Sequence, residues 1–216
     1  MRQIALLLVL VALALPAGAD QQVEEIFARV KQINPGLMDY SADIKMALDA
    51  RIAFVPYRPN IEGTYYHKRP DKHKVKLHKA PGYLRKYPNI FGWNLPRLER
   101  FTSRVVGTEK VAGRDCYHLE LLPAEEMGDV QQVDLWVDTQ NYTVPRHQTT
   151  YARDGLLTVE ADYQTVDGYT VFKEMRANFR FPSASLTATA RAAYTNYRFN
   201  QNLPDSLFKK EEARLR

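Results

Sequence analysis

Apolar and polar positions alternate along most of the chain. In residues 40–54 every even position is apolar, and the odd positions include Ser41, Asp43 and Lys45. A period of two is typical of a strand that buries one face. These fifteen residues would span about 50 Å at ~3.3 Å per residue, whereas the mean strand has about 5–6 residues. We therefore expect a long strand that curves or twists, as barrel strands do.

Turn residues divide the rest of the chain into further alternating segments. Asp154-Gly155 and Asp167-Gly168 are two-residue hairpin signals, and residues 70–72 and 112–114 have the composition of turns. About ten antiparallel strands in sequential hairpins favour a sheet that curls into an open or closed barrel. The predicted strands cover residues 40–54, 61–69, 73–79, 103–111, 115–122, 131–138, 144–152, 157–165, 171–181 and 185–199.

A helical period precedes the strands. Apolar residues recur at helical spacing in residues 21–33 and form one stripe, with Glu24 and Glu25 in the first turn and Pro35 after the last. Acidic residues are favourable at the start of a helix, and proline commonly follows its end. We therefore predict one amphipathic helix before the sheet. Its apolar stripe consists of Val23, Ile26, Phe27, Val30 and Ile33.

An apolar segment with three prolines interrupts the strands. Pro81, Pro88 and Pro96 exclude a long strand between residues 80 and 101. A loop this apolar is unfavourable in water, so we expect short helical turns that cover an apolar surface. The predicted lid consists of Ile90, Phe91, Trp93, Leu95 and Leu98.

The first residues have the pattern of a secretory signal. Arg2 precedes twelve apolar residues at 4–15, and Ala17-Gly18-Ala19 provides small residues for cleavage. Twelve helical residues reach only about 18 Å, short of a ~30 Å hydrocarbon core. We therefore predict a signal peptide at residues 1–19, export to the periplasm, and a mature chain without a transmembrane segment.

Charge and cysteine content narrow the possible partners. Removing Arg2 with the signal peptide lowers the formal net charge from +5 to about +4. Such an excess suits an ordinary solvated surface or anionic partners such as phospholipid headgroups. An exported protein does not meet nucleic acid, so none is predicted. Cys116 is the only cysteine, which excludes an internal disulfide and suggests a small buried side chain.

The chain offers little catalytic or metal-binding chemistry. His67, His73 and His78 fall on one predicted hairpin, but their spacing matches no compact metal motif and the neighbouring lysines and arginines repel a cation. The sequence has no nucleophile elbow, phosphate loop or metalloprotease helix. We therefore predict no enzyme, no catalytic residue, no metal and no cofactor.

The same hairpin is strongly basic. Alternating cations on a strand can form a solvated rim, or they can dock lipid headgroups or an acidic partner. The possible docking patch consists of Lys68, Arg69, Lys72, Lys74 and Lys76.

These features together resemble the LolA-like periplasmic lipoprotein carriers and outer-membrane lipoprotein-sorting proteins. The order of signal peptide, amphipathic helix and long alternating strand is similar to that family. So is the hairpin in which Arg69, Pro70 and Asp71 join two strands. Further similarity lies in residues 107–123, 135–138, 145–146 and 203–208, and the resemblance covers nearly all of residues 20–208.

The resemblance implies an incomplete, half-open antiparallel β-barrel whose helices close its open side. It implies a carrier that binds the acyl chains of a lipoprotein or lipid and moves them toward the outer membrane. A membrane-protein donor or acceptor and a monomeric state are then expected. A non-carrier binding or sensory module on the same fold is the alternative. Residues 209–216 are predicted to be a charged tail. The alternation of apolar and polar positions along the strands predicts which side chains face inward. It predicts that the cavity is lined by Ile44, Met46, Leu48, Ile52, Phe54, Leu119, Leu121, Leu135 and Val137.

Overall fold

The computed structural model describes residues 21–52, 55–80 and 95–209. In these residues it has one α-helix, eleven strands and three short 3-10 helices, at Leu98–Arg100, Pro182–Ala184 and Asp205–Phe208. The helix α1 spans Gln21–Lys31. The strands are β1 (Asp39–Ile52), β2 (Val55–Tyr57), β3 (Asn60–Lys68), β4 (Lys72–Lys79), β5 (Phe101–Val111), β6 (Arg114–Pro123), β7 (Val130–Asp138), β8 (Arg146–Tyr151), β9 (Gly155–Val166), β10 (Tyr169–Phe181) and β11 (Leu186–Phe199). The predicted signal peptide and residues 210–216 of the predicted tail lie outside the described residues.

All described strands form one antiparallel sheet. Its order is β4-β3-β1-β11-β10-β9-β8-β7-β6-β5, and β2 pairs with the last part of β1. The two outermost strands, β4 and β5, do not pair with each other in the described part of the chain, so the sheet stays open. The predicted half-open, mainly β barrel with an N-terminal helix is confirmed. The short strand β2 was not among the predicted strands.

The long strand β1 lies in the middle of the sheet. It pairs with β11 along almost its whole length and with β3 over residues 39–47. The predicted alternation holds, since Ala42, Ile44 and Met46 are buried, while Lys45 before Met46 and Ala47 after it are exposed. Beside β11 the register shifts between Ser41 and Asp43, where a bulge interrupts the alternation.

Two apolar clusters lie on the inner face of the sheet. In the first, Val23, Ile26 and Phe27 of α1 pack against β5, β6 and β7. The second joins side chains of β1, β3, β4, β9, β10 and β11 and is rich in aromatic rings. The helix therefore covers one half of the inner face, and the second cluster occupies the other half.

The turn between β8 and β9 is one residue away from its predicted position. Arg153 and Asp154 take the positive φ angles of 58° and 59°, while Gly155 begins β9. Gly155 is needed for space, because a Cβ there would lie 2.9 Å from Tyr151 Cβ and 3.0 Å from Phe181 Cδ1. The Asp167-Gly168 turn lies where the sequence predicts it, with φ angles of 49° and 82°.

Candidate ligand-binding face

The strand register places apolar side chains in continuous rows across the inner face. One row runs through Leu48, Ala190, Ala177 and Val159 on β1, β11, β10 and β9. The same row continues through β8 to the β7–β6 pair, where Leu135 lies opposite Leu119. Since side chains two residues apart share a face, neighbouring rows also point inward. The predicted residues Ile44, Met46, Leu121 and Val137 lie in these neighbouring rows.

The helix covers part of the predicted cavity lining. Leu119, Leu121, Leu135 and Val137 are fully buried in the cluster that contains α1. Phe27 of α1 belongs to the same cluster and is 1% exposed. A ligand on the inner face reaches these four leucine and valine side chains only where the helix moves aside.

The other half of the inner face has a floor of small side chains. Around this floor stand larger apolar side chains of which Leu48, Met175 and Phe179 are only half-buried. Ile44 and Met46 are buried among them. Alanine side chains extend less far from the sheet than these neighbours, so we infer a shallow depression above the half-buried Ala177 and Ala188. The floor consists of Ala161, Ala177, Ala188, Ala190 and Ala192.

Aromatic side chains pack beside the alanine floor. Tyr194 stacks edge-on against Tyr65, with ring centroids 6.0 Å apart. The Tyr197 hydroxyl donates to the Phe172 carbonyl at 2.6 Å, and the Tyr194 hydroxyl donates to Met175 Sδ at 3.1 Å. Burial raises the pKa of Tyr65 and Tyr194, so their hydroxyls stay neutral.

The inner face carries little charge at neutral pH. His147 lies between Leu135 and Val159 in the apolar row, and burial lowers its pKa to about 4. Burial, together with the nearby His73 and Arg69, also lowers the pKa of His67 to about 4. Both imidazoles are therefore neutral near pH 7. A neutral apolar surface suits an uncharged chain, because burying a charge there is costly.

The predicted lid is only partly described. Leu95 and Leu98 are partly buried and pack against the cluster around α1. Ile90, Phe91 and Trp93 lie outside the described residues, as do Phe54 and the side chain of Ile52.

The predicted basic patch is partly neutralised by the C-terminal segment. The ammonium groups of Lys68 and Lys72 lie 2.7 Å and 2.8 Å from the carboxylate of Asp205. Hydrogen bonds from these two lysines lower the pKa of Asp205 to about 2. Arg69 donates to the backbone carbonyl of Asn34 at 2.8 Å. The other two members of the patch, Lys74 and Lys76, lie on the edge strand β4, and the register places their side chains on the outer face of the sheet.

Polar clusters on the described residues do not form a metal site. His67 lies opposite His73 in the β3–β4 register. The side chain of His78 instead forms a hydrogen bond with the Thr64 hydroxyl. Among the described residues no group of three or more His, Cys, Asp or Glu side chains could hold a metal ion. His118 lies between two carboxylates on the outer face, 2.9 Å from Glu109 and 2.9 Å from Asp134. In the described part of the chain, no helix is long and apolar enough to cross a membrane.

Comparison with known proteins identifies the family and the fold of this chain. A model of a family described as an uncharacterized protein matches residues 94–214, more than half of the chain. The chain belongs to this family. Its fold is LolA-like, as the sequence resemblance implied. A search of curated proteins finds no match.

Several solved structures share the LolA-like fold. A DUF1329 family protein from Desulfovibrio piger superposes with a TM-score of 0.70 at 15% identity, covering 89% of this chain and 98% of that one. A domain described as that of an outer membrane lipoprotein-sorting protein from Vibrio parahaemolyticus gives 0.62 at 16% identity, over 85% and 94% of the two chains. A LolA superfamily protein from Nitrosomonas europaea gives 0.59 at 14% identity, over 87% and 97%. At these identities the likeness establishes the fold.

Sequence analysis missed part of the LolA-like inner face. Ala177 and Ala190 lie in the row of the predicted Leu48, Met175 lies in the row of the predicted Met46, and Phe179 and Ala188 lie in the next row, that of Ala50. Their alternation was visible in the sequence. The pairing of β10 and β11 with β1 was not, and only that pairing brings the three strands together.

Proposed function

We propose that this protein is a periplasmic carrier that holds the acyl chains of a lipid or lipoprotein against the inner face of its open barrel and moves them toward the outer membrane. The observation that carries the proposal is the neutral, apolar inner face of β1, β9, β10 and β11. There Leu48, Met175 and Phe179 stay half-buried around an alanine floor. The proposed function is binding and release without catalysis, metal or cofactor.

The physical basis is the burial of methylene groups. Each one transferred from water to an apolar surface contributes about 0.8 kcal/mol, so an acyl chain binds strongly without any specific polar contact. An open sheet also allows release, because no covalent step or closed barrel traps the chain. Ile44, Met46 and Leu48 are the predicted lining residues that we place next to the ligand.

The helix and lid give the proposed cavity a movable cover. Leu119, Leu121, Leu135 and Val137 would join the lining when α1 shifts. The segment that includes Leu95 and Leu98 adjoins that helix and would move with it. Export through the predicted signal peptide would place the carrier between the two membranes. The likeness to the lipoprotein-sorting domain from Vibrio parahaemolyticus supports cargo of this kind.

A paired substitution on β11 tests the carrier function. Ala188 is half-buried on the inner face, whereas Ala193 is exposed on the outer face of the same strand. We expect Ala188→Trp to fill the depression and weaken uptake of a fluorescent fatty-acid probe about 10-fold or more, while Ala193→Trp leaves it unchanged. Thermal unfolding of both variants serves as the folding control. Native mass spectrometry of protein from its own envelope should also show co-purified lipid.

Two results would count against the carrier function. Delipidated wild-type protein that takes up no fatty-acyl probe would exclude an acyl-binding face. Equal loss of uptake in the two folded tryptophan variants would place any binding elsewhere.

A non-carrier binding or sensory module is the second candidate. The edge strand β4, with Lys74 and Lys76 on its outer side, favours it because an acidic partner could dock there. Charge reversal of Lys74 and Lys76 would then abolish a stable protein complex and leave lipid uptake unchanged.

A further inference from the structure

A polar groove lies on the outer face of the sheet, opposite the alanine floor. It has a volume of about 410 Å³, and all its lining residues except Leu48 and Ala190 belong to the face opposite the proposed acyl-binding face. Arg58, Arg176 and Arg191 form its walls, and Thr189 and Asn178 lie between them. The remaining lining residues are Ala47, Leu48, Asp49, Asn60 and Ala190. The small residues of β1 and β11 leave space at the floor, while the groove walls carry guanidinium groups.

The strand register surrounds this groove with two rows of arginine. Arg191 on β11 lies directly opposite Arg176 on β10. On the other side of the Thr189–Asn178 row, Arg51 and Arg180 flank Thr187. The two arginine rows are four residues apart along the strands, which is about 13 Å at ~3.3 Å per residue. A strip of neutral threonine and asparagine side chains therefore lies between two basic rows.

Acidic partners neutralise only the inner members of this arrangement. Arg58 pairs with Asp49 at 3.0 Å. The guanidinium groups of Arg176 and Arg191 share the carboxylate of Glu174, at 2.7 Å and 2.6 Å. Arg176 also pairs with Asp162 at 3.2 Å. Five arginines against Asp49, Glu174 and Asp162 leave an excess of two positive charges.

The excess charges lie one row beyond the Thr189–Asn178 row of the groove. Arg51 and Arg180 are exposed, and neither forms an ion pair with any described residue. Glu174 lies between the guanidinium groups of Arg176 and Arg191, but no acidic side chain does the same for Arg51 and Arg180 in the described part of the chain. Such a basic surface gains from an anionic ligand. Guanidinium groups donate two parallel hydrogen bonds to phosphate oxygens, which favours phosphate over other anions.

The two unpaired arginines are spread over an open sheet face. Arg51 and Arg180 lie on either side of Thr187, two strand spacings or about 10 Å apart. Exposed cations spread in this way suit the many phosphates of a bilayer surface, whereas a single soluble anion suits an enclosed site.

We propose that the groove and its flanking arginines are a docking site for the phosphate groups of an anionic phospholipid bilayer. The docking places the carrier at a membrane surface, so its biological meaning rests on the proposed function, but the binding itself does not. Arg51 and Arg180 would meet the lipid phosphates first. Asn178, Thr189 and Arg58 would hold a headgroup that enters the groove.

Vesicle binding with matched charge reversals tests this docking site. The wild-type protein should bind phosphatidylglycerol vesicles and bind phosphatidylcholine vesicles much more weakly. Each basic residue near an anionic surface contributes about 1 kcal/mol, so reversal of Arg51 and Arg180 to Glu should weaken binding by roughly 30-fold or more. The control is reversal of Arg29 and Lys31, which are exposed on α1 and therefore lie on the opposite side of the sheet from the groove. It changes the net charge equally and should weaken binding far less.

A second variant keeps every arginine. Asn178→Asp is nearly isosteric and adds a negative charge at the groove, so it should also weaken vesicle binding by several-fold. Equal losses in the two charge-reversed proteins, or no loss in R51E/R180E and N178D, would overturn the proposal. Displacement of the vesicles by millimolar inorganic phosphate would also overturn it, because the groove would then be a site for a soluble anion.

The acyl-probe assay separates this site from the proposed function. R51E/R180E should take up the fatty-acid probe like the wild type. Vesicle binding without acyl uptake in the wild type would retain the docking site and exclude the carrier. If the wild type takes up the acyl probe and R51E/R180E still binds vesicles like the wild type, the carrier function is retained and the docking site is excluded.

Discussion

Gly155 is a position where one missing side chain determines local packing. Tyr151 and Phe181 approach from both sides, with ring centroids 5.3 Å apart, and leave no room for a Cβ. Overpacking of this kind destabilises by about 1–3 kcal/mol. We therefore expect Gly155→Ala to lower the free energy of unfolding by about that amount in urea denaturation.

Gly107 provides the matched control. A Cβ at Gly107 would meet no atom within 4 Å, and its φ angle is not positive. Alanine there should be neutral or stabilise by about 0.4–1 kcal/mol through the unfolded state. Equal stability of the two alanine variants would contradict the packing that we describe around Gly155.

The half-buried His147 makes stability depend on pH. Burial lowers its pKa from 6.5 to about 4 in the folded protein, so the folded state favours the neutral imidazole. Its contribution is present above pH 6.5 and is lost as the pH falls from 6.5 toward 4. Between pH 7 and pH 5 this one group should reduce the free energy of unfolding by about 2 kcal/mol.

Replacement of His147 should remove that pH dependence. We expect His147→Gln to lose about 2 kcal/mol less stability than the wild type between pH 7 and pH 5, measured by urea unfolding at each pH. The quantity to compare is the change in the free energy of unfolding between pH 7 and pH 5, not its value at either pH. His67 retains its own lowered pKa in both proteins, so a remaining slope is expected. An unchanged slope would show that His147 does not titrate in this window.

At the scale of elements, the helix α1 serves as part of the core. Phe27 is 1% exposed and packs with the apolar residues of β5, β6 and β7. Removing a buried phenylalanine side chain costs about 3–5 kcal/mol. Phe27→Ala should lower the free energy of unfolding by that amount, while Glu25→Ala, at an exposed position of the same helix, should change it little. Similar unfolding curves for the two variants would mean that the helix is not held on the sheet.

The elements themselves were largely predictable from the sequence. The stripe of Val23, Ile26 and Phe27 predicted a helix at 21–33, and α1 spans Gln21–Lys31. Parity predicted a strand at 40–54, and β1 spans Asp39–Ile52. Parity fails at the bulges near Ser41 and between Phe172 and Glu174. A bulge adds one residue to one strand only, and no local pattern marks where its partner strand lies.

At the scale of the whole molecule, the open sheet has two unpaired edges in its described part. Exposed edge strands can pair with other copies of the chain, and natural proteins prevent this with lysines and bulges. β4 carries Lys74 and Lys76 on its outer side, and β5 has a register shift between Val105 and Gly107. We therefore expect the lysines of this hairpin to prevent the edge strand β4 from pairing with another copy of the chain.

Removal of the edge lysines should favour self-association. We expect K74T/K76T to form concentration-dependent dimers or larger species in analytical ultracentrifugation, because threonine favours strand pairing and carries no charge. Lys45 and Lys173 lie on the interior strands β1 and β10, so the same change there should not increase self-association. A monomeric K74T/K76T protein at high concentration would argue that the lysines serve docking instead.

The sequence by itself determined the type of each element, because the periods of 2 and 3.6 are local properties of a chain with one apolar side. It also determined which side of each strand faces inward, as at Ile44 and Leu135. Only the tertiary structure decided what covers each part of that face. The helix buries Leu135, while Leu48 stays half-exposed above an alanine floor. It also placed Asp205 against Lys68, and Arg51 in one row with Arg180. These pairings join residues more than a hundred positions apart, so the geometry of the whole sheet sets them.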